Sequence, residues 1–302
     1  MNLLILCLRR SGSTTVWRTF RQDQKLTCYD EPFGNSHINL PKPNGKNTNH
    51  ELIKLVKKDP VTFWQKYYPI EPSQEISENM LDDQKCYLEF LLNTSEHVVC
   101  DLTRCCFKLK ALKEVCPHAY VVHLYRSPQA FVSSHIFPTA PEAHKVSQAV
   151  LKIKNSIKRF RFWSLQQGYD SWGYERIIGH SNESKFSTYL KDEGLFFYGF
   201  NSLPAYGKLL YFWKICYDKI EREGRDYFGD NFSSLPFEFF CRFPQKYLEK
   251  IYGLLGLEMP EFSLNSIRKA SPGFRTYDHR WEEMSNRLGF ASIYDYPWIS
   301  QI

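Results

Sequence analysis

The chain has 302 residues and a mass of 35.8 kDa, with 43% hydrophobic and 24% charged residues, a balance typical of soluble globular proteins that excludes disorder as its whole description. A chain of this length buries about 75% of the surface its unfolded form exposes, so it needs neither a disulfide framework nor a structural metal. Its 39 Lys and Arg against 33 Asp and Glu leave a net charge of +6, too mild and too spread for a nucleic-acid binder, whose basic residues form a denser stripe.

The first element is Leu3 to Leu8, a continuous apolar run of the kind expected in a strand buried on both faces of a parallel sheet. It stops at Arg9 and Arg10, far short of the roughly 20 residues that span a bilayer, and it has no signal-peptide cleavage region. No later segment reaches that length, so a soluble, cytoplasmic protein is expected. The nine cysteines point the same way, being odd in number, free of CxxC pairs and mostly set in apolar runs. Cys105 and Cys106 are adjacent but lack a second pair at zinc spacing, so they read as buried thiols and no metal is expected.

From Ser13 the pattern turns helical, with Val16, Trp17 and Phe20 on one side, and a second strand at Leu26 to Tyr29 leads into Glu31-Pro32-Phe33. Strand, glycine-containing loop, helix and strand make a βαβ opening. Residues 34–50, rich in Asn, Pro, Gly and Lys, read as a loop or insertion. Helical patterns return between Glu51 and Leu92. His97 to Asp101 is a third strand, Leu109 to Cys116 a helix stopped by Pro117, and Tyr120 to Tyr125 a fourth strand. Ser127 then stands as N-cap with Pro128 at the first helical position.

Val146, Val150, Ile153, Ile157 and Phe160 recur at helical spacing, which puts the basic residues of Lys152 to Arg161 on the opposite face, as a solvated surface or as the rim of an anion site. Gln166 to Tyr206 is aromatic and glycine-rich without a steady period and reads as a layer of loops. A helix with Leu209, Trp213, Cys216 and Ile220 inward follows. Then come a strand at Ser234 to Phe239, a helix from Pro244 to Leu255 capped by Gly256, and a tail from Asn265 to Ile302 that is first basic and then aromatic.

Two places carry chemistry. In the loop after the first strand, Gly12 with Ser11, Ser13, Thr14 and Thr15 lets backbone amides and hydroxyls converge on an anion at the positive end of the next helix, and Arg10 adds a charge. A plain strand-to-helix turn is the other reading of this loop. The pattern GxxxxGK[ST] is missing, which argues against an ordinary ATP-hydrolysing P-loop. The second place is Arg126, leaving the carboxyl end of the fourth strand, with Ser134 eight residues on. An arginine there points into the crevice where α/β folds bind ligands and suits a phosphate, or it caps a turn at the surface.

Together these residues resemble the sulfotransferase family, which uses 3′-phosphoadenosine 5′-phosphosulfate (PAPS). Arg10 to Thr14 reads RSGST, similar to the family loop that holds the 5′-phosphosulfate, and Arg126-Ser127-Pro128 with Ser134 resembles its 3′-phosphate grip, with Ser127 in place of the usual acid. Asp101-Leu102-Thr103-Arg104, Cys116-Pro117-His118-Ala119, Phe237-Glu238-Phe239-Phe240 with Pro244, and Leu254 to Leu257 extend the resemblance to about residue 257. Tyr29-Asp30-Glu31-Pro32-Phe33 is similar to the Glu-Pro element of carbohydrate-type and bacterial members, where the glutamate is the general base; a structural carboxylate bonded to loop amides is the alternative for Glu31. Phenol-type members use a histidine near the third strand, and Cys100 to Cys106 has none. His97, His118 and His123 sit in or beside apolar strands and read as core or edge histidines.

The resemblance implies an α/β, P-loop NTPase-like fold of three layers, with a central parallel sheet flanked by helices. It implies one domain over 1–302 with acceptor-side insertions at 34–95 and 165–205. It further implies transfer of a sulfuryl group from PAPS to a hydroxyl, on a carbohydrate or glycolipid, with Glu31 as base and Arg10 with the amides of Ser11 to Thr15 balancing negative charge. Arg275 and Arg280, in Ser271 to Trp281, either close over the 3′-phosphate or lie as solvent-exposed arginines. A small-molecule kinase and an inactive relative that binds a nucleotide or an acidic polymer are the rival readings.

Overall fold

The computed structural model describes residues 2–34, 50–136, 153, 156, 180–264, 267 and 279–290, with the backbone alone at a few helix ends. Among the described residues there are five strands: β1 Asn2–Leu6, β2 Thr27–Asp30, β3 Val98–Leu102, β4 Tyr120–Tyr125 and β5 Phe232–Pro236. Every residue of β3 and β4 is buried, as strands covered on both faces require, and all neighbouring pairs are parallel. The order is β2-β3-β1-β4-β5. The chain leaves β1 toward one edge and later crosses from β3 to β4 on the other side, so the switch in strand order falls beside the carboxyl end of β1, where open α/β sheets bind ligands.

The helices described are α1 Ser13–Phe20, α2 His50–Lys58, α3 Pro60–Lys66, α4 Asp82–Leu92, α5 Leu109–Val115, α6 Pro128–Ile136, α7 His180–Asp192, α8 Ala205–Phe228, α9 Phe237–Arg242, α10 Pro244–Leu255 and α11 His279–Arg287. The chain divides into two compact units. The first, residues 1–125 and 216–270, holds the whole sheet. On one face Leu3, Ile5, Cys28, Val99, Val122 and Leu124 pack with Val16, Trp17 and Phe20 of α1 and Leu248, Ile251 and Tyr252 of α10. Strand alternation sends Leu4, Leu6, Cys100, Leu102, Val121 and His123 to the other face, where all are buried. There His123 Nδ1 lies 2.6 Å from Glu221 of α8, and burial holds its imidazole below the usual pKa against the pull of that carboxylate. The result is the sheet between helical layers that the sequence predicts.

The second unit, residues 126–215 and 271–302, has its own aromatic core. Phe186 of α7 meets Phe200 at 6.0 Å and Phe212 of α8 at 5.2 Å, and Trp213 stacks on Phe290. Here the sequence reading needs correction. Part of the stretch read as loops is the helix α7, which packs by burying Phe186 and Leu190 one turn apart. Residues 166–179 lie outside the described part. Ile153, assigned to an apolar helix face, is 61% exposed, and the other four apolar positions of that face, Val146, Val150, Ile157 and Phe160, lie outside the described residues.

A second correction concerns the last strand. It runs over Phe232–Pro236, and Phe237 to Phe239, read as its end, instead open α9, because Phe237 and Phe240 bury together at helical spacing after Pro236. The phenylalanine run carries strand propensity, and packing overrides it.

Candidate functional site

The loop between β1 and α1 is a tight turn, with the Ser11 amide donating to the Leu8 carbonyl at 3.2 Å. Arg10 has φ 71° and Gly12 φ 95°, both in the left-handed region. Among the described residues helix α1 then starts with no side-chain cap and no acidic residue in its first turn, so its N-terminus carries a partial positive charge. Ser11 is buried, and among the described residues its hydroxyl has no hydrogen-bond partner. A Cβ on Gly12 would stand 2.3 Å from Cδ2 and Cε2 of Phe237, so this backbone position admits only glycine. An uncapped helix start, an unsatisfied hydroxyl and a glycine-only approach fit a phosphate or sulfate oxygen.

Glu31 directly follows β2, in a turn closed by the Gly34 amide donating to the Glu31 carbonyl at 2.9 Å. Its φ is 44°. Among the described residues, Arg10 and Glu31 are the two non-glycine residues with positive φ, and each follows a strand at the carboxyl edge of the sheet. Such conformations cost on the order of 1–3 kcal/mol each and gather at functional sites. The sequence singled out the same two side chains on chemical grounds.

The structure adds Asp101, Glu75, Arg9 and Arg104 to this edge. Asp101 on β3 is fully buried and lies in register with Asp30 of β2. The Cys7 thiol donates to its Oδ1 at 3.5 Å, and among the described residues its Oδ2 has no hydrogen-bond partner. Burial, then the nearby carboxylates Glu31 and Asp30, pushes the Asp101 carboxyl well above the usual range, opposed by Ser13 and Cys7. An acid closing an otherwise apolar strand was the signal in the sequence. Glu75 sits in irregular chain and had no local signal; it pairs with Arg9, and with Arg104 at 2.5 Å.

The raised pKa of Asp101 gives a prediction. The folded state binds its proton more tightly than the unfolded state, so the contribution of Asp101 to stability falls as pH rises from about 4 through the raised value. Asp101→Asn is therefore expected to stabilise the protein by roughly 1–3 kcal/mol at pH 8, with the gain vanishing near pH 4. Chemical denaturation at the two pH values checks it, and an equal effect at both would contradict the assignment.

Arg126 and Ser134 belong to the second unit. The Arg126 carbonyl accepts from Trp213 Nε1 at 3.0 Å, and the Ser134 hydroxyl, on α6, donates back to the Phe131 carbonyl at 2.7 Å. Arg275 lies outside the described residues, as does the side chain of Arg280, whose backbone is in α11. Cys105 and Cys106 are buried free thiols, and burial raises the first to about 12. Among the described residues no group of three or more His, Cys, Asp or Glu is arranged to hold a metal, and no helix is long and apolar enough to cross a membrane.

The fold is a parallel α/β sheet with an uncapped helix start at its switch point and carboxylates beside it. The sequence matches the profile described as "Sulfotransferase family" over residues 2–178, more than half of the chain. The protein belongs to the sulfotransferase family. No curated protein matches it. Among solved structures, the sulfotransferase domain from the Synechococcus PCC 7002 olefin synthase is 14% identical, with 97% of this chain and 84% of that one covered at a TM-score of 0.45. The sulfotransferase from Alicyclobacillus acidocaldarius is 15% identical, with 95% and 90% covered at a TM-score of 0.42.

Proposed function

We propose that this sulfotransferase takes its sulfuryl group from PAPS and delivers it to a hydroxyl of a carbohydrate or glycolipid. The observation that supports the donor reading is the Arg10–Gly12 turn, which sets the buried Ser11 hydroxyl beside an uncapped helix start just after β1. Arg10, Ser11, Gly12, Ser13, Thr14 and Thr15 would hold the 5′-phosphosulfate. Arg126 and Ser134 would hold the 3′-phosphate, a role that rests on their motif in the sequence. The Glu-Pro turn supports a sugar acceptor, and the nine free thiols suit a cytoplasmic setting.

PAPS supplies the sulfuryl group and carries the leaving phosphate. Glu31 removes the proton of the acceptor hydroxyl, so that the oxygen attacks sulfur in line with the departing phosphate oxygen. The charge gathering on that oxygen is met by Arg10 and the amides at the start of α1, fixed dipoles that need no rearrangement.

Thermal unfolding with 3′-phosphoadenosine 5′-phosphate (PAP), beside ATP and adenosine 5′-phosphate at equal concentration, tests the reading. A ligand held only by the folded state raises stability by RT ln(1 + [L]/Kd). PAP should give the largest shift, and Arg126→Ala should weaken PAP by roughly 1.5–3 kcal/mol, the worth of a charge-assisted contact. Stabilisation by ATP in preference to PAP would favour the kinase reading, and no shift with any of the three would end the donor assignment.

A further inference from the structure

Between α3 and α4 the chain forms a single 3-10 turn, Pro72–Gln74, within an otherwise irregular but heavily tied-down segment. Lys108, with no exposed surface, donates from Nζ to the carbonyls of Gln74 at 2.8 Å, Ser77 at 2.6 Å and Asn79 at 2.9 Å. Those three acceptors use all the protons of an ammonium group. Gln84 donates to the Pro69 carbonyl at 3.1 Å and to Gln74 Oε1 at 2.9 Å. The same segment is bonded to the turn that carries Glu31: the Ile70 amide donates to the Phe33 carbonyl at 3.1 Å, and the Tyr67 hydroxyl to the Gly34 carbonyl at 2.8 Å.

From this strap Glu75 reaches the ends of two strands. One oxygen, Oε1, accepts from Arg9, which follows β1 and precedes Arg10, and from Arg104 Nη1, which follows β3. Arg104 Nη1 also donates to the Ile70 carbonyl at 3.0 Å. The strap therefore joins the Glu31 turn to the β1 loop through a single carboxylate.

We propose that Glu75 is a positioning residue of the sulfotransferase site, holding Arg9 so that the next residue, Arg10, keeps its left-handed turn over the anion loop. The inference rests on the donor reading given above and deepens it. A left-handed non-glycine residue persists only where its surroundings over-determine it, and the Arg9–Glu75 pair is a tertiary restraint on the residue next to Arg10 in the chain. Burial pushes the Glu75 carboxyl above its usual range, and the guanidiniums of Arg9 and Arg104 offset part of that rise. Glu31 raises it further, a sign that the two carboxylates feel each other.

The test is PAP affinity by titration calorimetry in the full chain for wild type, Glu75→Gln, Glu75→Asp and Asp23→Asn. Asp23 is a stability control, since its carboxylate accepts from Tyr252 at 2.9 Å at the opposite, amino end of the sheet. Glu75→Gln should weaken PAP on the order of tenfold, the loss of one charged contact, and Glu75→Asp should recover part of that. Asp23→Asn should lower the melting temperature with PAP affinity intact. Wild-type affinity in Glu75→Gln, or an equal loss in Asp23→Asn, overturns the positioning role. No PAP binding by the wild type overturns the donor reading, and the inference with it.

Discussion

Glu31→Gln is expected to lower sulfuryl transfer by roughly 10²–10⁴-fold while leaving PAP affinity within about twofold of wild type, the size of effect seen when a general base is lost. Glutamine keeps the length and backbone preferences of glutamate, so the turn with φ 44° and its Gly34 bond to the Glu31 carbonyl can persist. What goes is the acceptor of the proton. The contrast with affinity separates roles, because a structural carboxylate bonded to loop amides would carry the loop with it, and PAP binding would fall together with turnover. The measurement is PAP release from PAPS with the best acceptor found, beside calorimetry with PAP alone. A fully active variant would remove Glu31 from the mechanism.

The second large effect is expected at Gly12. Gly12→Ala asks an L-residue to adopt φ 95° and places a methyl group 2.3 Å from two ring carbons of Phe237. The left-handed conformation costs about 1–2 kcal/mol for such a residue. Overpacking against a buried ring adds about 1–3 kcal/mol. A loss of roughly 2–5 kcal/mol is therefore expected, with little or no stabilisation left from PAP, since the turn that presents the α1 amides is the part displaced. Adding Phe237→Leu should relieve the clash and return some stability while leaving the backbone strain. Thermal unfolding of the single and double variants, with and without PAP, checks both parts. A Gly12→Ala protein as stable as wild type and equally stabilised by PAP would show that the loop tolerates a side chain.

Much of the frame was legible because burial on both faces writes itself into a strand as an unbroken apolar run. Tyr120 to Tyr125 is β4 at its predicted bounds, and the runs at Leu3, Leu26 and His97 give β1, β2 and β3 within two residues at each end. Helix punctuation was equally local: Pro128 opens α6, and Gly256, with φ 67°, ends α10. The failures came where local preference and packing disagree. Phe237 to Phe239 has the composition of a strand but turns into α9 to bury two rings, and the stretch containing Phe186 and Leu190 lacks a clear period because neighbouring aromatics share its core.

The sequence by itself determined which chemistry the chain can carry: RSGST after a strand, an acid before Pro32, an arginine leaving β4. These are short-range patterns, set by residues that touch neighbours in the chain. Only the tertiary structure decided which other groups join them, because Glu75 meets Arg9 across a separation of 66 residues and Cys7 meets Asp101 across 94, distances over which sequence spacing says nothing about contact. It also decided that Arg10 and Glu31 stand in left-handed turns, a conformation neither side chain prefers and that surrounding contacts must impose. A buried Lys108 that donates to three strap carbonyls and a buried acid on β3 likewise come from contacts made in the folded chain.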